Sequence, residues 1–241
     1  MKQRKYLVLI GDIVKSRQIK DRAHFQEIFK SQFKHIEVFE KHNITSSFTV
    51  TIGDEFQGVL NKASNLFKFF DDLEYDLNLV LSKEHTANEL EKTKQLYNIR
   101  YGIGVGIITT KINKDIALGM DGPAFYNARE SIENARKNNQ KFCFVSGSEK
   151  DASINVLMQW LNIENKKWNF RKFQIVKLYK DAWTQKQIAE SLGISQPAVS
   201  KILKNAPVEL TIRTEKLIEN EINKVLDKAK SFQYSMVAES D

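Results

Sequence analysis

The stretch "TVTIGDEFQG", residues 49–58, sets two short apolar runs on either side of Gly53, Asp54 and Glu55. β-Branched and aromatic residues flanking a Gly-Asp pair are the pattern of two antiparallel strands joined by a tight turn. "SSFTVTI" and "FQGVL" are therefore expected as strands, and core packing gives no reason for two adjacent carboxylates between them. Upstream, "KYLVLI" is a continuous apolar run ending in Gly11-Asp12, the mark of a strand covered on both faces. Between the two, Phe25, Ile28, Phe29, Phe33, Ile36 and Phe39 recur at helical spacing over residues 22–41. Downstream, Leu66, Phe69, Phe70, Leu73 and Leu77 mark a second helix, and residues 82–95 read as a polar surface excursion. "YNIRYGIGVGII" is then a glycine-laced strand, followed by a turn, a helix over "GPAFYNARESIENARKNN" and the strand "KFCFVS".

The order β-α-β-β-α-β-α-β over the first 147 residues predicts an α+β fold: a ferredoxin-like, split βαβ sheet with helices on one face. Gly102, Gly104 and Gly106 leave one face of their strand bare, which suits either a tightly packed helix above it or a floor beneath a ligand. "GSEKDAS" reads as a boundary, giving one domain at residues 1–150 and an all-α domain at residues 151–241.

Composition bounds the rest. The 241 residues are 41% hydrophobic and 28% charged, as in soluble globular chains. No apolar run approaches a membrane span, and "MKQRKYLVLIGD" has an acid where a signal peptide would continue, so a cytoplasmic protein is expected. The single cysteine, Cys143, excludes an internal disulfide and lies in an alternating strand pattern, as a core thiol does. His24, His35, His42 and His85 have no partner at zinc-ligand spacing. The net charge of +7 favours an anionic partner, and its distribution is uneven. Residues 161–216 hold eleven lysines and arginines against five acids, a surplus of six.

Within that segment "TQKQIAESLGISQPAVSKILKN", residues 184–205, reads as a helix-turn-helix. Ile188, Ala189, Leu192, Ile194, Val199 and Ile202 can form one small core, with Gly193 at the turn. Thr184 and Gln187 make a capping box, Ser195 caps the second helix, and Pro197 fits its first turn. Such a unit resembles those of bacterial transcription regulators and sigma-factor-like domains. Ser195, Gln196, Pro197, Ser200, Lys201 and Lys204 are left exposed on the second helix and are the expected DNA-binding residues. A helical pair used only for protein contacts is the alternative, which the basic surplus disfavours. A supporting helix is expected over "RKFQIVKLYKDA". A last helix over residues 209–230 carries Leu217, Ile218, Ile222, Val225 and Leu226, either as core or as the seam of a homodimer.

Asp12 at one strand end and Asp54 and Glu55 in the hairpin can converge at a sheet edge. Clustered carboxylates suit either a divalent cation with a nucleoside triphosphate or plain solvated turn positions. "LVLIGDIVKS" and "TVTIGDEFQGVL" resemble the metal-site strand and hairpin of class III nucleotidyl cyclases, and the hairpin also that of diguanylate cyclases. Through "LIGDIVKSR", "TIGDEFQG", "IRYGIGVGIITT" and "ALGMDGPAFYNARE" the chain resembles the SatD family of bacterial proteins, over residues 5–147. The resemblance implies a nucleotidyl-cyclase-like domain with Asp12 and Asp54 as ligands of Mg²⁺. It implies the Ile13 carbonyl as a further ligand of that ion, and Gly11, Ile13, Gly53, Glu55 and Arg129 are the expected nucleotide-binding residues, Arg129 suiting a solvated helix face equally well.

The departures are specific. The cyclases' base-selecting lysine is replaced by Val50, and Tyr126 and Glu130 stand where their transition-state asparagine and arginine belong. Asn127 is one residue out of register, and Arg129 and Arg136 are cations nearby. The leading expectation is a DNA-binding transcriptional regulator whose cyclase-like half senses a metal and a nucleotide. The alternatives are a metal-dependent nucleotidyl cyclase or transferase with an accessory DNA-binding unit, and an inert dimerisation scaffold.

Overall fold

The computed structural model describes residues 4–14, 16, 27, 29–34, 42–51, 53–82 and 98–228. Residues 27 and 29–34 are helical; the other residues of the expected first helix, and all of the polar stretch after residue 82, lie outside the described residues. Five strands, β1 (Lys5–Ile13), β2 (Ile44–Val50), β3 (Glu55–Leu60), β4 (Ile99–Ile107) and β5 (Phe142–Val145), form one sheet in the order β2-β3-β1-β4-β5. β3 lies antiparallel to both β2 and β1, β1 is antiparallel to β4, and β5 is parallel to β4. The described helices are α1 (Leu66–Ser82), α2 (Pro123–Lys137), α3 (Asp151–Asn165), α4 (Phe170–Lys180), α5 (Gln185–Leu192), α6 (Gln196–Asn205) and α7 (Val208–Asp227). No helix among the described residues is long and apolar enough to cross a membrane.

Helices cover the sheet on both faces, a correction to the one-faced arrangement expected. The reason is in β1, where Leu7, Val8, Leu9 and Ile10 are all buried, so neither face can meet water. On one face Leu7, Leu9, Phe56, Tyr101 and Phe144 pack against Phe29, Phe33 and the apolar side of α1, with Phe70 stacked on Tyr101 at 4.0 Å between ring centroids. On the other, Val8, Ile10 and Val59 meet Ala124, Ala128 and Ile132 of α2.

The glycine stripe of β4 is the bed of α2. A Cβ on Gly104 would lie 2.1 Å from the Ala128 backbone nitrogen, and one on Gly102 2.4 Å from that of Ile132. Only a strand without side chains lets the helix backbone come so near. The ligand-floor reading is thereby replaced by packing.

The main core continues past residue 150. Ile154, Met158 and Leu161 of α3 and Ile218, Ile222, Val225 and Leu226 of α7 belong to the same cluster as β1 and β4. The stripe on α7 is thus core, while Leu217, on its outer side, stays exposed. Two smaller clusters follow. Trp168, Phe170, Phe173, Ala206 and Val208 pack with Tyr75 and Leu79 of α1, and Ile175, Leu178, Ile188, Ala189 and Val199 hold α4, α5 and α6 together.

Candidate functional site

Register brings the carboxylates together. Asp12 pairs across the sheet with Glu55 of β3 on one side and with Arg100 of β4 on the other, so their side chains share a face. α2 lies over that face and contributes two cations seven residues apart on one side of the helix. Arg136 Nε is 3.0 Å from Asp12 Oδ2 and its Nη2 is 3.0 Å from Glu55 Oε2. Arg129 Nη1 is 2.9 Å from Glu55 Oε1. Arg100 Nη1 reaches both Asp12 oxygens at 3.3 and 3.4 Å, and Glu133 holds Arg136 from within the helix at 2.5 Å.

The result is a ladder, Arg100–Asp12–Arg136–Glu55–Arg129, in which both carboxylates are 13% exposed. Burial pushes the Glu55 carboxyl up, but the bonds and charges of Arg129 and then Arg136 outweigh it and hold it below the usual range. Burial disfavours the Arg136 cation, yet Asp12, Glu55 and Glu133 raise its pKa further above its already high value. Asp54 stands in the turn after Gly53, whose φ is 63°, outside the ladder.

The second cluster of candidates lies on α5 and α6. The Thr184 side chain accepts from the Gln187 backbone N–H while Gln187 reaches back to the Thr184 backbone. Gly193 closes the helix at φ 64°, in the left-handed region where a Cβ is costly. The Ser195 hydroxyl accepts from the Ala198 N–H, and Pro197 sits in the first turn of α6. Ser195, Gln196, Pro197, Lys201 and Lys204 are exposed; Ser200, beside the buried Val199, is partly covered rather than exposed. Gln196 Nε2 donates to Gln185 Oε1 at 2.8 Å. Residues 191–208 contain no acid. The basic surplus, however, shrinks in three dimensions. Asp72 of α1 pairs with Lys177 at 2.9 Å and Asp71 with Lys180 at 2.7 Å.

The family model of the SatD family matches residues 6–222, through both the sheet and the helices that follow it. The chain belongs to the SatD family. A comparison with curated proteins gave no match. Among solved structures, this SatD-family chain is similar to a bacterial light-regulated adenylyl cyclase, at 14% identity over 60% of this chain and 77% of that one, with a TM-score of 0.37. It is similar to the dimeric guanylyl cyclase domain of the RhoGC fusion protein of the aquatic fungus Blastocladiella emersonii, at 17% identity over 53% and 73%, TM-score 0.33. The guanylate cyclase domain of RhGC from Catenaria anguillulae, in complex with GTP, gives 17%, 54% and 72%, and a TM-score of 0.33. Such scores carry nothing about chemistry, which rests on the residues themselves.

In this SatD chain the donor set around Asp12 does not suit a divalent ion in the arrangement seen. Both Asp12 oxygens face guanidinium groups at 3.0–3.4 Å, and a second cation there would meet like charge. Among the described residues no group of three His, Cys, Asp or Glu side chains converges as a metal site. Arg136 bridges the two strand-end carboxylates with a positive charge of the protein's own. Gly11 is bare because the Phe56 ring lies where its Cβ would be, 2.2 Å from Cζ. The Ile13 side chain is in the core. At the cyclase transition-state positions Tyr126 is exposed and donates to Asp121 Oδ2 at 2.6 Å, and Glu130 is exposed. The Asn127 amide donates to the Val105 carbonyl at 2.9 Å. Sequence reasoning missed Arg100. Its signal was a lone charge on the face of β4 otherwise occupied by Gly102, Gly104 and Gly106.

Proposed function

We propose that this protein binds DNA through α6 and acts as a transcriptional regulator, with the sheet half as its sensing part. The observation that carries the reading is the surface of α6: exposed Ser195, Gln196, Pro197, Lys201 and Lys204 on a capped helix, with no acid from residue 191 to 208. A helix of that kind, its polar residues at the N-terminal end and its lysines further along, suits a major groove flanked by phosphates. The sheet half enters without a metal on Asp12. Arg129, half-exposed beside the Gly53 turn, is the cation best placed to exchange Glu55 for a nucleotide phosphate. Paired copies on DNA would need a surface other than the α7 stripe, which lies in the core.

The test is fluorescence anisotropy of the full chain with genomic duplex fragments at several salt concentrations. Affinity should fall steeply with salt, and Lys201→Ala and Lys204→Ala should each lower the log–log slope by about one if they hold phosphates. Gln196→Ala should change sequence preference by about 1–3 kcal/mol at one base pair. Absence of salt-dependent binding, with turnover of a nucleoside triphosphate instead, would replace this reading with the enzymatic one.

A further inference from the structure

A cavity of about 330 Å³ lies where the start of β4, the loop before β5 and the C-terminal turn of α3 meet, adjoining the carboxylate ladder through Arg100 and apart from α6. Arg100, Lys141, Asn162, Asn165, Lys166 and Trp168 are among its walls, and among the described residues that line it none is acidic. Three of these lining residues each carry a polar atom that is buried with no partner: Arg100 Nε, Asn162 Nδ2 and Asn165 Oδ1. Buried polar groups are nearly always paired, so three unpaired ones around one cavity call for a complementary ligand.

The walls are held in place by their other contacts. Arg100 Nη1 is tied to Asp12, and Asn162, 4% exposed, accepts the Lys141 backbone N–H at 2.9 Å through Oδ1. Lys141 Nζ pairs with Glu74 at 2.7 Å, and Lys166 Nζ donates to the Asn139 carbonyl at 3.3 Å from the exposed rim. Two donors and one acceptor are therefore unpaired on residues around a volume that suits a small molecule, with Lys166 the wall cation that no acid holds among the described residues.

We propose that this cavity binds a small organic anion, a carboxylate or phosphate with a neighbouring hydroxyl. The oxyanion accepts from Arg100 Nε and Asn162 Nδ2 after a small turn of each side chain, and the hydroxyl donates to Asn165 Oδ1. The position links two parts of the molecule. Arg100 also holds Asp12 of the ladder, and Trp168 belongs to the cluster that contains Ala206 and Val208, directly after α6. The assignment rests on the cavity's own groups and is independent of the DNA reading.

The experiment is thermal melting of the full chain with malate, glycerol 3-phosphate or inorganic phosphate, at constant ionic strength against sodium chloride. At least one probe should give a saturable rise, about 5–10 °C at a hundredfold excess over its Kd; malate against glycerol 3-phosphate separates carboxylate from phosphate preference. Asn165→Asp places a negative charge on the wall, and Lys166→Glu reverses one at the exposed rim without touching the core. Both should raise the Kd tenfold or more. No saturable rise with any probe, or a rise unchanged in both variants, overturns the assignment. Melting shifts without DNA binding would defeat only the regulator reading, and DNA binding without melting shifts only this one.

Discussion

Arg136 is the residue on which the candidate site turns. A single guanidinium spans Asp12 and Glu55 at 3.0 Å each, with its side chain 32% exposed. Exposed ion pairs contribute about 0–1 kcal/mol, while breaking a buried one costs about 3–5 kcal/mol. Arg136→Ala, partly buried and bridging, should therefore lose about 1–3 kcal/mol in urea unfolding. Arg136→Lys should recover only part of the loss, because an ammonium cannot span two carboxylates as a planar fork does. If the bridging cation stands where a metal otherwise would, Mg²⁺ should leave wild-type melting unchanged and raise that of Arg136→Ala. An alanine variant as stable as wild type would show that the ladder contributes nothing. The sequence brought Asp12 and Glu55 to notice and counted Arg129 and Arg136 as cations, but their partners depend on the β1–β3 register and on how α2 crosses the sheet.

At the scale of elements, the contact between β4 and α2 is the most exacting in the fold. Ala124, Ala128 and Ile132 lie directly on the glycine stripe, backbone against backbone. Gly104→Ala places a methyl 2.1 Å from the Ala128 nitrogen, and neither a strand centre nor a helix backbone yields cheaply. Overpacking typically costs about 1–3 kcal/mol, and with backbone on both sides the loss should reach the top of that range or prevent folding. Gly119→Ala is the control: its Cβ meets nothing within 4 Å and bears only the strain of φ +71°, about 1–2 kcal/mol. Denaturant melts of the two variants measure the difference, and equal losses would show that helix approach does not select glycine at 104. α5 and α6 follow simpler rules. Their caps and turn are local, and their boundaries lie within a residue or two of the sequence pattern.

In the whole molecule, the helices after residue 150 join the sheet half through both core and charge. Lys180 of α4 sits between Asp71 of α1 at 2.7 Å and Glu215 of α7 at 2.6 Å. One cation serves two partly buried carboxylates. Burial pushes Glu215 up from 4.5 to about 7; Lys180 draws it down and Asp71 adds to the rise. Folded Glu215 thus keeps its proton where the unfolded chain has lost it. The stability this confers is full below about pH 4.5 and is lost as pH rises through about 7, at about 1.4 kcal/mol per pKa unit. Glu215→Gln removes the proton-linked part, so its melting temperature should gain on wild type steadily from pH 5 to pH 8. A difference constant across that range would mean that Glu215 does not titrate there.

The sequence by itself determined what is written in short-range pattern: the β2–β3 hairpin, the apolar core strand, the caps of α5 and α6, the acid-free surface of α6 and the family likeness in the strand-end motifs. Each depends on residues within a few positions of one another, where periodicity and turn chemistry act directly. Only the tertiary structure decided that helices cover both faces, that the α7 stripe completes the sheet core, and that Asp71 and Asp72 neutralise lysines more than a hundred residues away. It alone brought Arg100 beside Asp12 and left Asn162 and Asn165 around one cavity. Strand register, helix crossing and the pairing of distant charges depend on which surfaces meet, and a linear pattern of apolar and polar residues does not state which partner each surface will have.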